Sequence, residues 1–387
     1  MRIGIIDADL LNNRRHRFPN LACMKISGYY EGLGHETELL MSYDNLDKFD
    51  KVFISKVFSK TPVPDEVLKL KNVEYGGTGF FYDKAPRLPE EIEHHFPNYD
   101  LYLKWVNEQM EQGKKRNEFQ YYLDYSIGFT TRGCFRKCEF CVNKNYNRVE
   151  RHSPVKEFLD KNRKYICLLD DNVFGYKDWH KIFEELKETG KPFQYKQGLD
   201  ERLLDDERCV ALANSKYKGD YIFAFDNIND KDIIEKKLAI LRGYTDKRAM
   251  FYLFCAFDRK DKWDKDFWRN DIIDIFERLL ILNKHGDCLP YLMRFERYEE
   301  SPHRGIYLAL SQWCNQPSFY RTVTFREYCV LKGISGSKYK EYKNDPQKYL
   351  RDGNNKGATW RYLDEFVKDN SDIADKYFDI KFPRKIN

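Results

Sequence analysis

Three of the ten cysteines fall in a single short run, Gly133-Cys134-Phe135-Arg136-Lys137-Cys138-Glu139-Phe140-Cys141-Val142. The C-x3-C-x2-C spacing places three thiolates on one loop, directly after the strand-like residues 125–131. A loop of that length lets the sulfurs converge on one inorganic centre. Gly133 lacks a Cβ, so the backbone can turn sharply before the first thiolate. On a four-iron cube, three thiolates leave one iron without a protein ligand and open to a small molecule. A closed structural zinc site would need a fourth protein ligand. The nearest candidates, His152 and Cys167, lie outside the usual paired spacing. A third reading is three structural cysteines buried close together.

The rest of the composition sets the context for that loop. The 387 residues are 42% hydrophobic and 33% charged, which describes a globular chain of two or three domains. Charge is nearly balanced at +5, with a basic excess in residues 331–387, so composition alone does not announce nucleic acid. No apolar run approaches a membrane span. The first residues run straight into a strand without a signal-peptide layout. With cysteines that lack disulfide-like pairing, this leads us to expect a reducing cytoplasm.

Residues 1–84 read as alternating strand and helix: a strand at 3–7, helical spacing from 20 to 30, then strand-like runs at 36–40, 51–58 and 73–79. This is the pattern of a small parallel, Rossmann-like sheet. Residues 85–124 read as a linker or insert, with Pro86, Pro89 and Pro97 breaking helices and 101–119 charged and poorly periodic. The adjacent His94 and His95 would point to different helix faces, which argues against a metal held by that pair. Strands are then expected at 126–131, 165–169, 193–198, 221–225, 250–257 and 289–295. Helices are expected at 179–189, 207–213, 232–242 and 267–284. Residues 301–387 form a small, mostly helical C-terminal extension, basic and aromatic after Gly333. Cys255 lies in an apolar strand and reads as core. Cys288, Cys314 and Cys329 show no paired spacing for a second cluster.

At the cysteine loop the chain resembles the radical S-adenosylmethionine (SAM) superfamily, marked by C-x3-C-x-aromatic-C with Phe140 as the aromatic. The resemblance implies a partial (β/α)6 TIM-type barrel over residues 125–300. It implies a [4Fe-4S] cluster on Cys134, Cys138 and Cys141, with SAM chelating the open iron. Reductive cleavage of SAM would give a 5′-deoxyadenosyl radical that abstracts hydrogen from an unidentified substrate, which could be a small molecule, peptide or RNA. An electron donor such as a flavodoxin or ferredoxin is implied as partner. In such barrels ligands gather at the C-terminal strand ends. Phe140 is therefore expected against the adenine and Asp170 or Asp171 on the SAM amino group. Arg202 is expected on the methionine carboxylate and Gln197 on the ribose. The structural alternatives are a helix cap at Asp171 or Asn172 and an ordinary ion pair from Arg202 to Asp200 or Asp205. Asp226-Asn227, Asp258-Arg259, Arg294 and Glu296 are further candidates at strand ends.

Residues 1–84 resemble the cobalamin-binding-like domain found ahead of some radical SAM barrels. The likeness is carried by Phe18-Pro19-Asn20-Leu21-Ala22, Lys25-Ile26-Ser27 and Gly76-Gly77-Thr78-Gly79. The cobalamin loop of that family is D-x-H-x-x-G, whereas Asp7-Ala8-Asp9-Leu10-Leu11-Asn12 has neither the histidine nor the glycine. Cobalamin is therefore not expected. His16 reads as a solvated loop residue, and the domain as a wall or lid shaping the substrate entrance. Methylthiotransferases carry three cysteines in the first domain; this chain has only Cys23 there. Two alternatives stay open: a cobalamin-dependent radical SAM methyltransferase, and a non-enzymatic iron-sulfur or zinc protein with a basic nucleic-acid-binding tail.

Overall fold

The computed structural model describes residues 1–387 except 14, 259, 333–335, 355, 356, 358 and 385–387. Arg259 and Gly333, both singled out above, lie outside the described residues. The chain forms two units, residues 1–197 with 214–219 and residues 198–213 with 220–387.

In the first unit, β1 (Arg2–Asp7), β2 (Glu36–Leu39), β3 (Lys51–Ser55) and β4 (Val73–Gly76) form a parallel sheet in the order β2-β1-β3-β4. Ile3, Ile5 and Ile6 of β1 are fully buried, as expected of a parallel strand covered on both faces. The helix Leu21–Gly32 starts at Asn20, whose side chain accepts from the amides of Ala22 and Cys23. A second parallel sheet contains β5 (Tyr125–Gly128), β8 (Tyr165–Leu168) and β9 (Phe193–Tyr195) in the order β5-β8-β9. Between β5 and β8 lies an antiparallel hairpin of β6 (Thr131–Arg132) and β7 (Glu150–Arg151). The helix Trp179–Glu188 then buries Trp179, Ile182, Phe183 and Leu186, one stripe at helical spacing.

Two sequence expectations change here. Residues 85–124 are not a detached linker, because Tyr102, Trp105, Val106, Phe119 and Tyr122 are buried in one core with Ile3, Ile5, Tyr125 and Ile127. Burial of each such side chain stabilises the fold by about 1.5–3 kcal/mol, so this segment joins the two sheets. The weak apolar periodicity had hidden it, since two buried residues in the helix Leu103–Glu111 are enough to anchor it. The first strand of the second sheet also stops at Gly128 rather than 131. A Cβ at Gly128 would lie 2.3 Å from the Phe158 ring, and beyond it Thr130 and Thr131 turn toward Asp170.

The second unit holds β10 (Tyr221–Ala224), β11 (Ala249–Cys255) and β12 (Cys288–Arg294), parallel and in that order. Helices Asp206–Asn214, Lys231–Arg242 and Lys265–Lys284 accompany them. From Arg304 the described residues are helical or irregular, as expected for the extension. The division after Gln197 falls inside the segment read as one barrel, and each unit carries three of its six expected strands. Among the described residues no helix is long and apolar enough to cross a membrane.

Candidate metal centre and cofactor site

The three cysteines hang from the β6–β7 hairpin, each half-buried and free of disulfides. Gly133 enters the loop at φ +89°, and a Cβ there would lie 2.6 Å from the Arg148 carbonyl oxygen. The close approach as well as the turn therefore requires glycine. The amide of Cys141 donates to the Cys138 carbonyl at 2.9 Å, a tight turn between the second and third cysteines.

The sulfurs sit among hydrogen-bond donors. The Arg136 amide and the Asn172 side-chain amide each lie 3.3–3.4 Å from Cys134 Sγ, and the Asn143 amide lies 3.4 Å from Cys141 Sγ. Donors of this kind stabilise thiolate charge and tune an iron-sulfur centre. Burial, helped by the neighbouring Cys138, Asp171 and Cys134, pushes the free Cys141 thiol up.

The loop is clamped from three sides. Asp171 Oδ2 accepts from the Gly133 amide and Oδ1 from the Asn143 side chain, both at 2.7 Å, so one carboxylate ties the entry of the loop to its exit. Lys137, between the first two cysteines, donates to the Lys144 carbonyl at 3.0 Å, to Asn147 Oδ1 at 2.7 Å and to the Tyr146 carbonyl. The Tyr82 hydroxyl donates to the Phe140 carbonyl at 2.7 Å, while Asp83 pairs with Lys144 at 3.3 Å and accepts from Asn145. Tyr82 has φ +50° and ψ −118°, a conformation that non-glycine residues seldom hold without support. Its strained backbone lies where its side chain reaches the cysteine loop.

These contacts redefine the expected SAM residues. Asp170 is fully buried and accepts four hydrogen bonds, from the amides of Thr130 (3.0 Å) and Thr131 (2.6 Å) and from their hydroxyls (2.5 and 2.7 Å). Burial pushes its pKa up from the usual carboxylate range, while those four donors pull it down. Its carboxylate is fully buried and used in holding β5 to β8. Asp171 caps no helix and instead braces the loop. Arg202 pairs with Asp200 at 2.8 Å and Asp230 at 3.3 Å, the ordinary ion-pair alternative with Asp230 in place of Asp205. Burial opposes its charge, but Asp200, Glu201 and Asp230 hold the guanidinium firmly protonated. Gln197 is exposed after β9, and Phe140 is half-buried on the loop itself.

The other strand-end candidates are mostly structural. Asp226 accepts from the Phe254 amide at 3.0 Å, and burial raises it to about 6. Asn227 caps the next turn through the Asn229 amide, and Asp258 accepts from the amides of Lys260 and Lys262. The Arg294 guanidinium lies over the Tyr298 ring, and Glu296 is exposed. Cys255 is core, as expected. The residues that sequence reasoning missed are Tyr82, Asp83, Lys137 and Asn143. Lys137 and Asn143 lay in or beside the motif, but only the folded hairpin shows their acceptors.

Both candidates for a fourth ligand at the thiols have partners elsewhere. Cys167 is fully buried within β8, where its sulfur is 3.9 Å from the Gln194 side-chain nitrogen. His152 has Nδ1 at 2.8 Å from Ser153 Oγ and Nε2 at 3.1 Å from Glu93. Cys134, Cys138 and Cys141 are the thiols that share the loop.

At the N-terminal sheet, Asp9 is buried and already accepts from the Val57 amide at 2.7 Å and the Thr61 hydroxyl at 2.5 Å. Asn12 donates to the carbonyls of Ala8 and Pro62. His16 is not solvated as expected: it is largely buried, bonded to the Tyr122 hydroxyl, and burial lowers it to about 4.

No protein-family model and no curated protein matches the chain. Two solved structures of the radical S-adenosylmethionine methyltransferase TsrM from Kitasatospora setae resemble it at 11% identity. One, with cobalamin and a [4Fe-4S] cluster bound, matches 76% of this chain and 74% of that one at TM-score 0.48. The other, with tryptophan substrate and the SAM analogue aza-SAM, matches 75% and 72% at TM-score 0.45.

Proposed function

We propose that the chain is a radical SAM enzyme holding a [4Fe-4S] cluster on Cys134, Cys138 and Cys141. The observation that carries this reading is a clamped loop offering three thiols, with amide donors already aimed at two of the sulfurs. The donor chemistry fits such a cluster. When bound, the cluster supplies an open iron for SAM and one electron for its cleavage to a hydrogen-abstracting 5′-deoxyadenosyl radical. The chain's own residues do the remaining work. Asp171, Lys137 and Tyr82 fix the loop, and Asp170 fixes the strand ends beneath it. Phe140 offers an aromatic face and Gln197 an exposed amide for the nucleoside.

Cobalamin-dependent methyl transfer is the second reading, because β1–β4 form the kind of parallel sheet over whose strand ends a corrin lies. The first loop offers it no ligand, since Asp9 and Asn12 are both committed inside the fold.

The test is anaerobic reconstitution with iron and sulfide, followed by incubation with SAM and a strong reductant. Time-dependent 5′-deoxyadenosine is the expected product, and its loss in each single cysteine-to-alanine variant is expected with it. A colourless protein that takes up zinc but no iron would sink the reading. Retention of about one hydroxocobalamin per chain after desalting would instead make methyl transfer the leading reaction.

A further inference from the structure

Away from the thiols, two histidines and a glutamate distant in sequence come together at the foot of the cysteine hairpin. Among the described residues, His94, His152 and Glu157 are the group whose ligand atoms all lie within 4.8 Å of one another. We propose that they form a second metal site, for a divalent cation of borderline character such as zinc, independent of the iron-sulfur cluster.

Three observations support it. The first is convergence. His94 Nδ1 lies 2.9 Å from Glu157 Oε1, the two imidazoles stand 4.8 Å apart between centroids, and Ser153 Oγ sits between their Nδ1 atoms at 2.8 and 3.4 Å. Ligands around one zinc ion lie about 3.3 Å apart, so small side-chain adjustments close the set. The Ser153 hydroxyl, also bonded to Glu157, then rotates aside or leaves the fourth position to water.

The second observation is the outer shell. His152 Nε2 faces Glu93 at 3.1 Å and His94 Nε2 faces Glu90 at 3.5 Å. A carboxylate beside the far nitrogen can hold the ring proton there once a cation displaces the proton on Nδ1, which is the usual arrangement behind a metal-bound histidine. In that metal-bound state two imidazole lone pairs and the Glu157 carboxylate face one inner space.

The third is charge. Glu90, Glu93 and Glu157 surround the pair; Lys25 lies 3.0 Å from Glu93, on which Arg132 also bears. A dication offsets the surplus. The ion would fasten the short helix Glu90–Glu93 to the chain leaving β7, where the His152 amide already donates to the Thr130 carbonyl at 2.9 Å. The expected argument against His94-His95 as a pair holds: His95 turns away to the Phe96 carbonyl. The partner of His94 is His152.

The experiment uses the full-length chain and zinc ion as probe, with chelator competition and elemental analysis. In a Cys134→Ser/Cys138→Ser/Cys141→Ser variant, about one zinc per chain should bind and raise the thermal midpoint. His94→Ala and Glu157→Gln in that background should weaken zinc binding by about tenfold or more and abolish the rise. Zinc binding lost with the cysteines, weaker than about 0.1 mM in the triple variant, or unchanged in both site variants would overturn the proposal. Should the triple variant not fold, zinc-edge X-ray absorption on the iron-loaded wild type decides. A sphere of nitrogen and oxygen with imidazole scattering supports the site, and sulfur ligation or no zinc refutes it. Failure here leaves the radical SAM reading untouched, because that reading is tested by iron and 5′-deoxyadenosine.

Discussion

Asp171→Ala separates two roles for one carboxylate. As a brace, Asp171 ties Gly133 to Asn143 through two hydrogen bonds of 2.7 Å. A hydrogen bond to an ionised group contributes about 1.5–3 kcal/mol. The two share one acceptor group and will not add fully, so about 3 kcal/mol is a fair figure for losing both. The cost falls on closing the loop around the cluster, which at about 1.4 kcal/mol per decade is a 100-fold or larger loss in cluster retention. Asp171→Asn keeps one acceptor oxygen and should lose about tenfold. The assay is iron and sulfide content with the visible spectrum after reconstitution, then the rate of bleaching by a chelator. Glu296→Ala, on an exposed side chain, is the control and should match wild type. If Asp171→Ala holds the cluster as tightly as wild type but binds SAM weakly, the brace argument fails and the carboxylate belongs on the SAM amino group.

Two further outcomes follow from the same geometry. Tyr82→Phe removes one hydrogen bond to the Phe140 carbonyl, worth about 0.5–1.5 kcal/mol. Chelator bleaching should accelerate about two- to tenfold, and an unchanged rate would show that the 82–83 segment does not hold the loop. Asp7 is buried and raised to about 7, chiefly by desolvation, with Tyr102 and Leu10 as donors. The folded state then binds a proton that the unfolded state has released, so stability present at low pH is lost as pH rises from about 4 through 7. The swing approaches about 4 kcal/mol at roughly 1.4 per unit. Urea unfolding at pH 5 and pH 8 should show a smaller decline in Asp7→Asn than in wild type; His16, 3.8 Å from Asp7, is replaced in both backgrounds so that its own titration drops out. Equal declines would refute the buried neutral carboxyl.

Which parts of this were legible beforehand follows from how far each signal reaches along the chain. The cysteine spacing, the glycine before it and the strand pattern are local, and the structure places all of the expected strands within a few residues of the expected bounds. The roles of Asp170 and Asp171 were not local. A double aspartate at a strand end looks like a ligand pair in sequence, yet its donors come from Thr130, Thr131, Gly133 and Asn143, some forty residues earlier or fewer. Arg202 was ambiguous for the same reason: Asp200 was visible beside it, but Asp230 became a neighbour only through folding. His94 with His152 and Glu157 shows the limit most clearly, because adjacent His95 was the misleading partner.

The shared core changes what the N-terminal sheet is for. Tyr102 and Tyr122 lie between the two sheets of the first unit, and Tyr102 donates to Asp7 at the end of β1 while His16 meets Tyr122. The chain leaving β4 then reaches the cysteine loop through Tyr82, Asp83 and, farther on, Arg87, whose guanidinium is 3.3 Å from the Tyr146 hydroxyl. A separable lid would need a surface that could open without exposing much apolar area. Here opening would expose Trp105, Tyr122 and Ile127 to water and withdraw hydrogen bonds from the loop itself. At about 25 cal/mol per Å² of apolar surface, uncovering even these three side chains costs several kcal/mol. The N-terminal segment is therefore built as part of the cysteine site. Conditions that loosen its sheet, such as ionising Asp7, should loosen the cysteine loop with it.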